Sequence, residues 1–368
     1  MTQSCLRVLI ADDSALYRKI VRDLIDELAG VEVVAVAHDG DGALEKIKQY
    51  QPDLVVLDVE MPKMGGHEVL GQLAAAGESA AVIILSDNSL RSTIATRTAL
   101  RYGAMDIVRK PDGTSLTQNI DSLRQSLLPR VKAFAEVASA IRHGVRRVAP
   151  PPPDCGAQAA ATAARHDGQK TATQPVVVIG SSTGGPAALA EILRQLPGDF
   201  PAPVLIAQHM PPLFTQSLAA DLDRVCQLRV REASHGEPLV AGHVLVAPGG
   251  QQMRLETRRG QMLIHITNDP AVNNCRPSVD YLFRSAAATC RQAAVGVILT
   301  GMGIDGTEGC RCLKRYGCPI LVQDEATSVV FGMPRQVIEN GLADVVSPLS
   351  SLAAHITACL PRRYAACP

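Results

Sequence analysis

Two kinds of segment take turns along this chain, and their alternation restricts the fold more than any other feature. Apolar runs at Leu6–Ala11, Val31–Ala37, Leu54–Leu57, Ala81–Leu85 and Met105–Val108 read as strands. Helical stretches such as Ser14–Leu28 and Gly42–Tyr50 lie between them, with Ser14 as an N-cap, and a further helix is expected from about Ser115 toward Phe134. Strands separated by helices must cross over before they pair, which gives a parallel sheet with helices on its faces. The pattern stops at Ala149–Pro153, which holds four consecutive prolines. From there to Gln174 the chain is mostly Ala, Thr, Gly and Gln, too poor in large apolar side chains to fold alone, and it reads as a linker. Alternation resumes with Val176–Ile179 and continues through Val204–Ala207, His243–Val246, Val295–Leu299 and Ile320–Val322; Met253–Glu256 and Met262–Thr267 flank a polar turn as a hairpin. The expectation is two doubly wound parallel-sheet α/β domains, residues 5–128 and 175–368, joined by a flexible linker over 129–174.

Charge and cysteine content exclude several classes. Lys plus Arg and Asp plus Glu balance at 36 each, so no global field draws the chain to nucleic acid or an anionic membrane. The basic patch Arg142–Arg147 is short and lacks interleaved aromatics. Ten Cys are scattered without C-x-x-C pairs, and the nearest approach to a cluster, Cys310, Cys312 and Cys318, has no His nearby; free cytosolic thiols are the expectation. No apolar run reaches membrane-spanning length and Met1–Cys5 leads straight into a strand, so a soluble, cytoplasmic protein without direct membrane insertion is expected.

Open α/β sheets bind ligands at the carboxyl ends of their strands. In the first domain those ends carry Asp12 and Asp13, Asp58, Ser86, and Lys110 followed by Pro111. Three carboxylates around one crevice repel unless a cation lies between them, and oxygen-only ligands favour Mg²⁺. A carboxylate beside such an ion can attack phosphorus, with Asp58 as nucleophile, Lys110 on a phosphoryl oxygen and Ser86 able to donate to another. These residues, with Asp58-Val59-Glu60-Met61-Pro62 and Arg109-Lys110-Pro111, resemble the receiver domain of two-component response regulators. The resemblance implies a flavodoxin-like fold, Mg²⁺ on Asp12, Asp13 and Asp58, and phosphorylation of Asp58 by a sensor histidine kinase. Two departures stand out: Lys63-Met64-Gly65-Gly66 where the family usually has Met-Asp-Gly, and Ile107 where a switch aromatic commonly sits.

In the second domain, strand Val176–Ile179 runs into Gly180-Ser181-Ser182-Thr183-Gly184-Gly185-Pro186 and then a helical stretch. This matches G-x-S-x-G with Ser182 at its centre, and the helix start offers N–H groups to a developing oxyanion. An ordinary strand–helix turn or a phosphate loop would read similarly. A base is needed, and His209 follows the next strand; His166 falls in the linker, His243 and His265 in strands, and His235 in a polar loop. An orienting acid is offered by Asp305 after the strand Val295–Leu299, with Asp280 second because its helix is expected to turn it outward. Gly301–Gly306 also fits G-x-G-x-x-G, with Asp324-Glu325 about twenty residues on, the outline of a dinucleotide fingerprint. That reading would put Asp305 beside a pyrophosphate.

The stretches Ile179–Gly185, Gln208-His209-Met210-Pro211-Pro212, Arg276–Asp280, Gly296–Gly306 and Val330–Pro334 together resemble the chemotaxis protein-glutamate methylesterases. With the receiver, the resemblance covers nearly the whole chain. It implies an α/β methylesterase domain without a cofactor of its own, in which Ser182 is nucleophile, His209 general base and acid, and Asp305 the orienting carboxylate. Thr183 and Met302 would line the site, Met302 through its N–H, with Ser181 a minor rival to Ser182. It further implies a phosphorylation-activated enzyme that hydrolyses γ-glutamyl methyl esters on chemoreceptors, deamidates receptor glutamines, and takes its phosphoryl group from a chemotaxis histidine kinase. The alternatives are a receiver fused to a DNA-binding output, for which no basic recognition helix is visible, and a non-catalytic interaction module or phosphate sink.

Overall fold

The computed structural model describes residues 5–76, 80–87, 95, 98–99, 102, 104–142 and 174–360. The expected linker beyond Arg142 lies outside the described residues.

The first sheet is parallel, in the order β2-β1-β3-β4-β5, with β1 Leu6–Ala11, β2 Val31–Ala37, β3 Leu54–Asp58, β4 Ala81–Ser86 and β5 Asp106–Arg109. Every residue of β3 is buried, as a central parallel strand covered on both faces requires. Strand order reverses between β1 and β3, so Asp12 and Asp58 flank the switch point. Ser14 caps helix Ala15–Ile25 by accepting from the N–H of Tyr17. The helix expected to end near Phe134 runs from Leu116 to Arg142 and passes through Pro129. Leu123, Leu127 and Val131, spaced one turn apart, are all buried, so one apolar stripe carries the helix past the proline.

The second sheet has seven parallel strands in the order β14-β13-β12-β6-β7-β9-β8. They are β6 Val176–Ser181, β7 Val204–Gln208, β8 Arg229–Glu232, β9 His243–Val246, β12 Ala294–Ile298, β13 Ile320–Gln323 and β14 Val345–Ser347. The hairpin β10 Gln252–Arg258 with β11 Gln261–Thr267 stands apart from this sheet. The edge strands β8 and β14 were not expected from the pattern, since each is short and half exposed. Central β6 is wholly buried, and the chain winds to one side of it and then, from β12, to the other. The carboxyl end of β6 is therefore the second switch point. No helix among the described residues is long and apolar enough to cross a membrane.

Candidate active site

Register brings three loops to the end of β6. Ser181 lies opposite Gln208 on β7, and Gly180 opposite Ile298 on β12. The next residues on these strands lead to Ser182, to His209 and to the loop Thr300–Gly306. The N–H of Ser182 donates to Thr300 O at 3.1 Å and that of His209 to Ser181 O at 3.1 Å, which ties the loops together. The turn reverses at Gly184, whose φ of 78° lies in the left-handed region open to glycine, and enters helix Gly185–Gln195. Gln208 pins this turn from beneath: its Oε1 accepts from Ser181 Oγ at 2.6 Å and its Nε2 donates to Ser182 O at 2.8 Å. A Cβ on Gly185 would lie 2.0 Å from Gln208 Oε1, so the pin requires glycine there. Ser181 is thus fully buried and committed to Gln208, which removes it as a nucleophile.

His209 Nε2 pairs with Asp305 Oδ2 at 2.8 Å. Asp305 is 2 % exposed and accepts four further bonds: from Val279 N at 2.7 Å, Ser278 Oγ at 2.9 Å, Asn273 Nδ2 at 2.9 Å and Asp280 N at 3.1 Å. Two of these donors open helix Val279–Cys290, whose positive end faces the carboxylate. Burial alone would raise the Asp305 carboxyl, but His209, Asn273 and the Val279 N–H bring it below the ordinary range. Burial alone would lower His209, yet its bonds to Asp305 and to the Cys275 thiol hold it above the ordinary imidazole value. The thiol lies 3.7 Å from His209 Nδ1. Ser182 is 7 % exposed, and among the described residues its hydroxyl makes no hydrogen bond. Among the same residues, the N–H groups of Thr183 and Met302 also have no partner.

Asp280 does not turn outward as expected: it is 1 % exposed and accepts from Gly306 N at 3.0 Å, Gly309 N at 2.6 Å and Asn273 Nδ2 at 2.8 Å. Its place in the first turn of one helix aims it at the N-terminus of the next, Thr307–Arg315, where free N–H groups need an acceptor. Asp280 thus braces the loop that carries Asp305 and does not meet His209. The dinucleotide reading fails on the same loop, because Asp305 is turned inward and Asp324 closes a local turn on Thr327. His235 packs against His265 near the hairpin, with ring centroids 4.5 Å apart. Gln208 and Ser278 stood without a role in the stretches that carry the resemblance, and Asn273 and Cys275 were not singled out. The signal for Asn273, Cys275 and Ser278 was proximity, since they lie just before a helix whose start donates to Asp305.

In the first domain Asp12 and Asp58 are buried, and Lys110 Nζ lies 2.7 Å from Asp12 Oδ2 and 2.8 Å from Asp58 Oδ2. Asp13 is exposed but offers an oxygen to the same point. Burial, opposed by Lys110 and aided by Asp12, raises the Asp58 carboxyl to about 7. An all-oxygen donor set of three carboxylates against one ammonium suits a hard divalent cation, so these residues fit Mg²⁺. Ser86 is buried at the end of β4.

The two sites meet along β5. Gly184 N donates to Met105 O at 3.1 Å, and Thr183 Oγ1 donates to the Asp106 carboxylate. The same Asp106 oxygen accepts from Arg130 Nε at 3.0 Å. The cavity left at this seam, lined by Met105, Ile107, Pro186, Gln208, His209 and Met210, has a volume of about 10 Å³, room for one water at most.

A carboxylate crevice on one α/β domain and a Ser-turn, His and Asp on a second describe a receiver-linked hydrolase. Residues 8–121 match the response regulator receiver domain and residues 177–356 the CheB methylesterase domain. The chain is 43% identical over 359 residues to a protein-glutamate methylesterase/protein-glutamine glutaminase of Desulfotalea psychrophila, covering 95% of this chain and 97% of the relative. A protein of the same name from Symbiobacterium thermophilum is 42% identical, covering 96% and 97%. The Thermotoga maritima CheB methylesterase catalytic domain aligns with 44% identity and a TM-score of 0.50, covering 50% of this chain and 98% of that one. The chain belongs to the receiver-containing CheB methylesterase family.

Proposed function

We propose that the chain is a phosphorylation-activated serine hydrolase that demethylates γ-glutamyl methyl esters on chemoreceptors and deamidates receptor glutamines. Ser182 attacks the ester carbonyl while His209 takes its proton. Nε2 is held by Asp305, so the proton goes to Nδ1. The resulting imidazolium is balanced by Asp305. The N–H groups of Thr183 and Met302 receive the oxyanion. Methanol leaves with the proton returned by His209, and water, deprotonated by the same ring, releases the glutamate. Ammonia leaves by the same route from a glutamine, because both reactions pass through an oxyanion.

Control by the receiver rests on one observation: β5 touches both sites. Lys110, directly after it, pairs with Asp58, while Met105 and Asp106 at its start bond the nucleophile turn. The start of β5 bonds the turn at Thr183 and Gly184, next to Ser182, so this arrangement is the resting, covered state. Asp12, Asp13 and Asp58 would hold Mg²⁺, which when bound supplies positive charge against the incoming phosphoryl oxygens. Phosphorylation of Asp58 by a histidine kinase takes the carboxylate from Lys110, frees Ser86 to meet the phosphoryl group, and shifts the domain pair toward an open state. The test is methanol release from methylated receptor with and without a small phosphodonor. Ser182→Ala should abolish release, and Asp58→Asn should abolish stimulation alone; release from Ser182→Ala or full stimulation of Asp58→Asn overturns the reading.

A further inference from the structure

The general base of the triad has a second neighbour that the hydrolase chemistry does not use. Cys275 Sγ lies 3.7 Å from His209 Nδ1 and 3.3 Å from Asn273 O. Nε2 is committed to Asp305, so the lone pair on Nδ1 is the one free site on the ring, and in this conformation it faces the thiol. Ser182 Oγ makes no hydrogen bond among the described residues. Thiol, imidazole and carboxylate thus stand in the order by which cysteine hydrolases activate sulfur, and the three groups offer atoms all within 4.8 Å of one another. Cys275 is partly exposed.

Five other cysteines are held as thiols by burial. Burial pushes the Cys226 thiol up to about 11 and the Cys290 thiol up to about 12. Cys310, Cys318 and Cys359 are raised by burial as well. Cys226, Cys290, Cys310, Cys312, Cys318 and Cys359 have no histidine hydrogen-bond partner among the described residues.

We propose that Cys275 is a hydroperoxide-sensitive modification site that shares the catalytic base with Ser182 and arrests the esterase when oxidised. This rests on His209 being the general base. The Cys275 proton passes to Nδ1, and the thiolate attacks the terminal oxygen of the hydroperoxide. An S–O bond forms, the O–O bond breaks, and the departing alkoxide takes the proton from the imidazolium and leaves as the alcohol. Sulfur is oxidised by two electrons to sulfenic acid and the peroxide is reduced to the alcohol. The added oxygen lies against Nδ1 and keeps Ser182 from its base. A thiol reductant returns the sulfenic acid to the thiol.

The experiment uses the full-length protein with tert-butyl hydroperoxide and a 1,3-dione that traps sulfenic acid, read by mass spectrometry at each cysteine. Trapping at Cys275 should run at least tenfold faster than at partly exposed Cys312, and should fall at least tenfold in His209→Gln with Cys312 unchanged. Esterase activity should be lost in step with trapping, and return with dithiothreitol. Cys275→Ala and Cys275→Ser should resist peroxide. Their kcat/KM should reach its plateau at lower pH, because the sulfur no longer stabilises imidazolium. Equal trapping at Cys275 and Cys312, or equal peroxide inactivation of the wild type and both variants, overturns the proposal. The trapping measurement is independent of the esterase reaction, so it separates failure of this inference from failure of the hydrolase reading.

Discussion

Replacing Asp106 with alanine removes the side-chain hydrogen bond through which the receiver holds the nucleophile turn. The carboxylate accepts from Thr183 Oγ1 across the seam and from Arg130 Nε within its own domain. A hydrogen bond to a charged group contributes about 1.5–3 kcal/mol net. At about 1.4 kcal/mol per decade, its loss shifts the balance between covered and open states by roughly 10- to 150-fold. If the resting open population is about 0.1–10%, as is usual for a minor state, basal activity should rise until opening saturates. The stimulation factor should shrink by the same ratio, because the fully open enzyme is unchanged. Methanol release from methylated receptor, with and without phosphodonor, measures both numbers. Asp106→Asn keeps an oxygen acceptor without the charge and should fall between the wild type and alanine. Unchanged basal activity in a folded Asp106→Ala protein that keeps full stimulation would refute the seam as the source of control.

Three further outcomes follow from the same geometry. Chelating divalent ions with EDTA should abolish phosphodonor stimulation and leave basal methanol release intact, because the carboxylate crevice and the triad use different residues. Asp305→Ala should cost about 3–5 kcal/mol by stranding His209 and the other donors, roughly 6–20 °C in the melting temperature of a domain this size, along with nearly all activity. The raised His209 sets two opposed pH dependences. Its stabilisation is fully present below its unfolded value near 6.5 and is lost as pH rises through the raised folded value, whereas kcat/KM, which needs the neutral ring, should climb with pH over that range. A pH profile that plateaus below about 6.5 would contradict the raised histidine.

Strand-end residues were legible because a parallel α/β sheet delivers ligands at one edge. Asp12, Asp58, Lys110, Ser182, His209 and Asp305 could therefore be placed at strand ends from the apolar runs, while their roles rested on motif and resemblance. What register brings in from the side was not legible. Gln208 reads as the last residue of a strand, yet the pairing of β6 with β7 puts its amide under the nucleophile. Asp280 was misread because helical phase depends on where a helix starts, and its start is fixed by a neighbouring helix that needs an acceptor. Cys275 carried no pattern, since a single thiol in a loop gains meaning only when folding sets it against His209. Strands β8 and β14 were missed for want of an apolar run.

Ile107 now has a physical role where receiver domains commonly carry an aromatic. It is 4 % exposed and lines the seam beside Pro186 and His209, so its side chain is packed between the two domains and not available to swing. A tyrosine there would need more space than a cavity of about 10 Å³ can supply. Overpacking of a filled site costs about 1–3 kcal/mol, and here the open state relieves it. Ile107→Tyr should therefore raise basal methanol release by roughly 5- to 150-fold at about 1.4 kcal/mol per decade, without phosphodonor and without Asp58. The double variant Ile107→Tyr with Asp58→Asn isolates the effect, since no phosphoryl group can contribute. If that protein is folded and its basal rate matches Asp58→Asn alone, Ile107 does not set how tightly the receiver covers the triad, and Asp106 and Met105 carry that contact by themselves.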